Sequence, residues 1–194
     1  PLLFVMGLGG QLVDWPDEFV ELFVEAGFQV IRFDNRDVGL STQTSWKPPS
    51  HRRAIWSFIR RKPLKNVAYT VNDMADDAAG LLAHLRLDSA HVVGMSMGGM
   101  IAQALTIRHP LRVRSLCSVM SNTGDRKNGG FSWPLVRQFG NRPTPTRETA
   151  VDGAAEMFEA ISGPWFDPDV YRINAEESVK RSFTPAGTAR QTAA

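Results

Sequence analysis

The chain contains little cysteine and little net charge. It has one cysteine among 194 residues, so an internal disulfide is excluded. Cys117 lies in the apolar run VRSLCSVM, which predicts a buried, structural thiol. A net charge of +2 does not favour a nucleic-acid partner. The basic stretch from His51 to Lys62 is interpreted as a solvated loop or lid rather than a nucleic-acid surface.

Long apolar runs are also missing. None approaches the roughly 20 residues of a membrane-spanning helix, and the first residues lack the features of a signal peptide. We therefore expect a cytoplasmic protein with no membrane partner. A hydrophobic content of 43% with 22% charged residues is typical of a globular chain with one sizeable core. Because residue 1 is a proline at the start of the strand-like run PLLFVM, we also expect further sequence upstream.

Strand-like and helix-like segments alternate through the first 120 residues. Four short apolar runs predict strands, and they contain PLLFVM, FQVIRFD, AHVVGM and RVRSLCSVM. Helical spacing between them predicts helices over residues 15–27, 71–87 and 97–110, with Asn72 or Asp73 as the N-cap of the second. The alternation predicts an α/β fold, in which helices cover both faces of a parallel sheet.

The pattern changes after Ser121. Two amphipathic segments follow, and no further run resembles a strand. We predict a partial core over residues 1–124 and a partial helical cap or lid over residues 125–194. The final stretch TPAGTARQTAA is expected to form no element of its own.

A serine between glycines marks the end of the third predicted strand. The stretch HVVGMSMGGM places Ser96 in a Gly-x-Ser-x-Gly pattern between a buried strand and a helix. This is the pattern of a nucleophile elbow, a strained turn that exposes the serine hydroxyl. Gly94 and Gly98 avoid Cβ atoms that would collide where strand and helix pass, and Gly99 allows the helix to pack closely.

Two backbone amides are candidates for an oxyanion hole. The amide of Met97 lies at a helix N-terminus, where unpaired donors favour an anion. The loop MGLGGQ after the first strand is placed to supply a second donor, and Leu8 is the candidate. We expect the two amide nitrogens to converge beside Ser96, in a pocket lined also by Met6 and by Trp133 or Trp165.

These motifs occur in a familiar order. FVMGLGG, IRFDNRDVGLST and VVGMSMGGMIAQ together resemble the α/β-hydrolase superfamily. A closer resemblance is to the branch of carboxylic ester hydrolases that contains aclacinomycin methylesterase. It is carried by Met6-Gly7 in place of the usual His-Gly, and by WPDEF, GPWFD and SVKRSFTPAG. The resemblance implies a small-molecule ester as substrate and neither a cofactor nor a metal. It also implies that Arg36 and Asp37 brace a loop rather than react. The oligomeric state is not indicated.

The resemblance further implies a catalytic acid and histidine after the serine, and the chain departs from that pattern. His91 and His109 lie roughly 16 and 18 Å from Ser96 along a strand and a helix, and His84 ends a helix directed away from it. His51 is on the correct side, but its arginine neighbours oppose an imidazolium. We therefore expect a chain that is inactive alone.

Other function classes remain open at this stage. A non-catalytic binding protein of the same fold would need no base. A dinucleotide-binding oxidoreductase domain is suggested by the glycines after the first strand and by Asp34, but position 12 is leucine where that motif needs glycine. The elbow also serves haloperoxidases, C–C bond hydrolases and lactonases, so the substrate is left open.

Overall fold

The computed structural model describes residues 1–48, 64, 66–123, 143–164 and 166–194. Its centre is a sheet of four parallel strands in the order β2-β1-β3-β4. The strands are β1 (Leu2–Val5), β2 (Val30–Arg32), β3 (Ala90–Met95) and β4 (Val113–Val119). The predicted parallel sheet is confirmed, although β2 is shorter than the run FQVIRFD suggested.

Helices connect the strands and extend beyond them. They are α1 (Asp17–Glu25), α2 (Val71–His84), α3 (Met97–Arg108), α4 (Ala150–Ile161), α5 (Pro168–Arg181) and α6 (Pro185–Gln191). Short 3-10 turns occupy Leu12–Asp14 and Pro110–Arg112.

The core lies on both faces of the sheet because side chains of a strand alternate. Leu3 and Val5 of β1 pack into a cluster formed with α2 and α3. Leu2 and Phe4 point to the other face and pack with Trp15 and α1. β1 is buried along its whole length, so its carboxyl end is a rigid base for the loop that follows.

The N-cap of α2 differs from the prediction. Thr70, not Asn72 or Asp73, is the N-cap, and Asp73 is the third helical residue of a capping box. The Thr70 amide donates to the Asp73 carboxylate at 2.7 Å, and the Asp73 amide donates to the Thr70 hydroxyl. Hydrogen bonds from Thr70 lower the pKa of Asp73 below its ordinary value. The helix begins early because threonine followed three residues later by an acid satisfies two free amides.

Cys117 is exposed, so the prediction of a buried thiol was wrong. The apolar run does form β4, but in the described sheet β4 is an edge strand that pairs with β3 alone. Leu116 and Val119 are likewise 38% exposed. An apolar strand is buried only if elements cover it, and periodicity does not report its place in the sheet.

We expect Cys117 of the 194-residue chain to react with Ellman's reagent in the absence of denaturant. The exposed thiol should be modified at a rate close to that of a thiol in the unfolded chain. The absorbance of the released thionitrobenzoate, followed with and without 6 M urea, measures both rates. A rate in buffer a hundredfold below the rate in urea would contradict the exposed position of Cys117.

Of the helices described after residue 143, α5 and α6 contact loops at the carboxyl edge of the sheet, and α4 packs on α5. α4 and α5 pack together, with the rings of Phe158 and Tyr171 centred 4.1 Å apart. The expectation that the final stretch TPAGTARQTAA forms no element was wrong, because Pro185–Gln191 form α6. A Cβ at Gly187 would lie 1.8 Å from the Asp37 carbonyl oxygen, so α6 packs directly on the loop DNRDVGLST. The domain boundary near residue 124 falls outside the described residues and stays a prediction.

Candidate active site

Ser96 lies between the last residue of β3 and the first residue of α3. Its backbone has φ 55° and ψ −122°, in a region that residues with side chains rarely adopt. The Ser96 amide donates to the Val119 carbonyl at 2.9 Å, and its carbonyl accepts from Gly99 at 2.9 Å. The turn is therefore held from both sides, by the neighbouring strand and by the helix.

The three elbow glycines lie where backbone segments come closest. A Cβ at Gly94 would lie 2.2 Å from the Gly98 carbonyl oxygen, across the turn. One at Gly98 would lie 2.1 Å from the carbonyl oxygen of Val5, at the end of β1. One at Gly99 would lie 2.5 Å from the Ser121 side chain. No side chain fits at these positions, so the glycines are needed for the approach of α3 to the strands.

The loop after β1, MGLGGQ, which we call the Leu8 loop, lies beside Ser96. A Cβ at Gly7 would be 3.2 Å from the Ser96 Cβ and 3.7 Å from its hydroxyl oxygen. The Leu8 amide follows directly and has no hydrogen-bond acceptor within the described part of the chain. Met97 is the first residue of α3, so its amide has no acceptor within the helix. The structure thus brings the Leu8 loop, the Met97 amide and Ser96 together.

Buried polar contacts hold this loop in place. The side-chain amide of Asn35, 2% exposed, donates to the Met6 carbonyl at 2.9 Å. The Gly10 amide donates to the Gly7 carbonyl at 3.2 Å and closes a tight turn around Leu8 and Gly9. Asn35 belongs to the loop DNRDVGLST, so the two loops at this edge of the sheet support each other.

Arg36 and Asp37 were predicted to brace the loop DNRDVGLST; Arg36 does so through α2, and Asp34, which was not part of that prediction, makes further contacts that hold the loop. Asp34 accepts from the Leu12 and Leu40 amides and forms a 2.8 Å ion pair with Arg181 of α5. Arg36 makes two 2.6 Å hydrogen bonds to the carboxylate of Asp77.

Asp37 is fully buried and has φ 70°. Its carboxylate forms a 2.8 Å ion pair with Arg190 and accepts from the Thr44 amide at 2.7 Å. Burial by itself would raise the pKa of Asp37, but hydrogen bonds from Arg190 and Thr44 act against burial, and the pKa is lowered. Asp37 is therefore a structural anion paired with α6.

The 3-10 turn Leu12–Asp14, which follows the loop MGLGGQ, packs against α5. The Gln11 side-chain amide donates to the carbonyls of Ser178 and Ser182 at 2.7 and 2.8 Å, and its oxygen accepts from Arg181. Burial raises the pKa of Asp14, although its carboxylate accepts from the Gln11 amide. Burial also raises the pKa of Tyr171. The loop next to Ser96 is thus anchored to α5.

The final stretch of the chain contributes residues that the sequence analysis missed. Arg190 contacts Asp37, and Gln191 contacts both the loop beside Ser96, at Gly9, and the loop DNRDVGLST, at Arg36. TPAGTARQTAA contains few large apolar residues, so it lacks the amphipathic pattern that signals a packed helix. Pro185 is the first residue of α6, and a proline at that position is a sequence signal for the start of a helix.

Within the described residues, the Ser96 hydroxyl has no hydrogen-bond partner, and the rings of His91 and His109 are engaged elsewhere. His91 contacts Ser115 at 2.7 Å, near the amino-terminal end of β3. His109 contacts Asp76 at 2.7 Å, past the far end of α3 and roughly 18 Å from the elbow. His51, Trp133 and Trp165 lie outside the described residues.

The described residues contain neither a candidate metal site nor a candidate membrane span. No group of three histidine, cysteine, aspartate or glutamate side chains there is arranged to hold a metal ion. Over the same part of the chain, every helix is too short or too polar to traverse a lipid bilayer.

Known proteins of similar sequence share this architecture. Residues 1–149 match the family described as the alpha/beta hydrolase fold. Rhodomycin D methylesterases from Streptomyces peucetius (DnrP) and Streptomyces sp. strain C5 (DauP) are each 34% identical to the chain over 193 aligned residues. Each alignment covers 89% of this chain and 59% of the methylesterase, so the chain spans about three fifths of their length.

A solved structure gives the same result for the fold. A carboxylesterase from the ammonia-oxidizing thaumarchaeon Nitrososphaera gargenis superposes with a TM-score of 0.64 at 22% identity, covering 100% of this chain and 62% of that chain. The proteins similar to this chain thus include methylesterases in sequence and a carboxylesterase in structure. The chain belongs to the α/β-hydrolase family.

Proposed function

We propose that the protein is a serine hydrolase that cleaves a carboxylic ester of a small molecule. The observation that carries the proposal is the strained backbone of Ser96, with φ 55°, beside the Leu8 loop and the free N-terminus of α3. Strain of this kind is kept where the surrounding structure holds it for function. The methylesterase relatives support an ester, and a methyl ester is the first substrate class to test.

In the proposed reaction, the Ser96 oxygen forms a bond to the ester carbonyl carbon while a base takes the serine proton. The carbonyl oxygen becomes an oxyanion, which accepts hydrogen bonds from the Leu8 and Met97 amides. The C–O bond to the alcohol then breaks, and the alcohol leaves with the proton. Water attacks the acyl group next, releasing the acid and restoring the serine.

The base and its acid are the parts that the described residues do not bring to Ser96. We propose that the 194-residue chain is inactive alone and that a version covering the full length of its relatives is active. In that version, residues 125–194 form part of a cap over the site.

A binding protein without catalysis is the second candidate, because the Ser96 hydroxyl has no base beside it among the described residues. The two candidates differ in the reactivity of the serine. In a hydrolase the serine is activated and reacts with phosphonylating reagents, whereas in a binding protein it is an ordinary alcohol.

A fluorophosphonate probe separates the two candidates. We expect the version covering the full length of the relatives to be phosphonylated once, at Ser96, as located by peptide mass spectrometry. The Ser96→Ala variant should remain unlabelled. Absence of labelling in a folded, full-length protein would reject the hydrolase and favour the binding protein.

A further inference from the structure

One side chain of α6 connects the loop MGLGGQ, which lies beside Ser96, to the loop DNRDVGLST. The Gln191 side-chain oxygen accepts from the Gly9 amide at 2.8 Å, and its nitrogen donates to the Arg36 carbonyl at 2.8 Å. Gln191 is only 2% exposed, so water competes little for the groups that form these hydrogen bonds. The contact spans 182 residues of sequence, from the Leu8 loop to the end of the chain.

The position of Gly9 makes this contact relevant to Leu8. Holding the Gly9 amide fixes the plane of the Leu8–Gly9 peptide. The Leu8 amide belongs to the preceding Gly7–Leu8 peptide, whose carbonyl accepts from the Gly10 amide, so both peptides that flank Leu8 are restrained. Gly9 has φ 70°, and a Cβ there would lie 2.9 Å from the hydroxyl of Thr188, one turn before Gln191 on α6. The same face of α6 therefore restrains the loop by packing and by a hydrogen bond.

The chemistry of an amide side chain suits this position. Gly9 offers a donor and Arg36 offers an acceptor, so the residue between them must accept and donate at once. Glutamine does so without charge. A neutral group also avoids the repulsion that a carboxylate at this position would exert on negative charge developing nearby.

We propose that Gln191 is a positioning residue for the oxyanion hole, which keeps the Leu8 amide directed at the reacting carbonyl oxygen. The inference rests on the proposed function, because it assigns Leu8 as an oxyanion donor. Gln191 acts through Gly9 and touches no reacting atom. Its loss lowers the rate of the chemical step and leaves substrate binding nearly unchanged.

The first measurement uses the 194-residue chain and needs no catalysis. Gln191→Met keeps the side-chain length but removes both hydrogen bonds. We expect exchange of the Gly9 amide with deuterium to be at least tenfold faster in this variant. Thr192→Val, at the exposed neighbouring position, is the matched control and should leave Gly9 exchange unchanged. Equal Gly9 exchange in Gln191→Met and the original chain would overturn the inference.

The second measurement compares an oxygen ester with the corresponding thionoester in a version covering the full length of the relatives. Sulfur accepts hydrogen bonds weakly, so preference for the oxygen ester reports the oxyanion hole. For Gln191→Met we expect kcat for the oxygen ester to fall about 10- to 100-fold, with KM within about threefold, since one oxyanion donor is worth about 100- to 1000-fold. The preference for the oxygen ester should fall about tenfold.

The outcomes separate this inference from the proposed function. Ser96-dependent turnover with an unchanged oxygen-to-thiono preference in Gln191→Met would overturn the positioning role alone. No Ser96-dependent turnover in the original protein would overturn the proposed function and this inference with it. If Gln191→Met does not fold, Gln191→Asn is the second variant. It retains both groups but is one methylene shorter, and we expect the same loss of preference.

Discussion

Replacing Ser96 by alanine is expected to lower kcat/KM for a nitrophenyl ester by about 10⁴-fold or more in a version that covers the full length of the relatives. The hydroxyl supplies the new bond to the carbonyl carbon, and alanine has no atom to replace it. The Leu8 and Met97 amides stay in place, so a small residual rate should remain. Initial rates of nitrophenolate release measure the effect.

The same substitution should change nothing in the 194-residue chain, because its described residues bring no base to the hydroxyl. Ser115→Ala is the matched control, since Ser115 contacts His91 near the amino-terminal end of β3. It should leave turnover in the longer version unchanged. Ser96-dependent turnover by the 194-residue chain would show that a base lies among the residues not described, and His51→Ala would be the next variant.

Replacing Arg190 by alanine is expected to lower the free energy of unfolding by about 3–5 kcal/mol, because Asp37 would be left buried without its cation. Arg190 itself is only 8% exposed, so water does not replace it readily. Urea unfolding of the 194-residue chain, followed by tryptophan fluorescence, gives the free energy. A change near zero would mean that the Asp37–Arg190 pair contributes little.

Two variants control for this result. Arg108→Ala also removes an arginine that pairs with an aspartate, but this pair is exposed, so we expect a much smaller change. Adding Asp37→Asn to Arg190→Ala removes the unpaired charge and should restore part of the lost stability. If the double variant were no more stable than Arg190→Ala, the loss would come from packing rather than charge.

The contribution of this pair depends on pH in a defined direction. Folding lowers the pKa of Asp37, so the unfolded state binds more protons at acidic pH. The stabilisation is therefore complete above the unfolded carboxyl pKa of about 3.9 and is lost as pH falls through the lower folded pKa. The difference between the original chain and Arg190→Ala should be constant from pH 6 to 8 and shrink below about pH 4.

Much of the architecture follows from local pattern. The alternation of short apolar runs with helical spacing was sufficient for a parallel sheet, because each segment has one way to bury its apolar face. The elbow could also be located, since Gly94, Gly98 and Gly99 occupy positions where the structure leaves no room for a Cβ. These features depend on residues close in sequence.

Features that depend on distant partners were not predictable. Cys117 is exposed because of where β4 lies in the sheet, and the apolar character of the strand carries no information about that place. Thr70, two to three residues before the expected caps Asn72 and Asp73, is the N-cap of α2, because its hydroxyl and the Asp73 carboxylate satisfy amides at the start of the helix.

The sequence by itself determined the α/β order of elements, the strand–serine–helix turn and the glycines that permit it, since these require only short-range sterics and burial of apolar faces. Tertiary structure alone decided that Asp37 meets Arg190 and that Gln191 reaches Gly9, contacts between residues more than 150 positions apart. Such polar contacts form only after packing has brought two loops and a short helix together. Composition and spacing do not indicate these contacts.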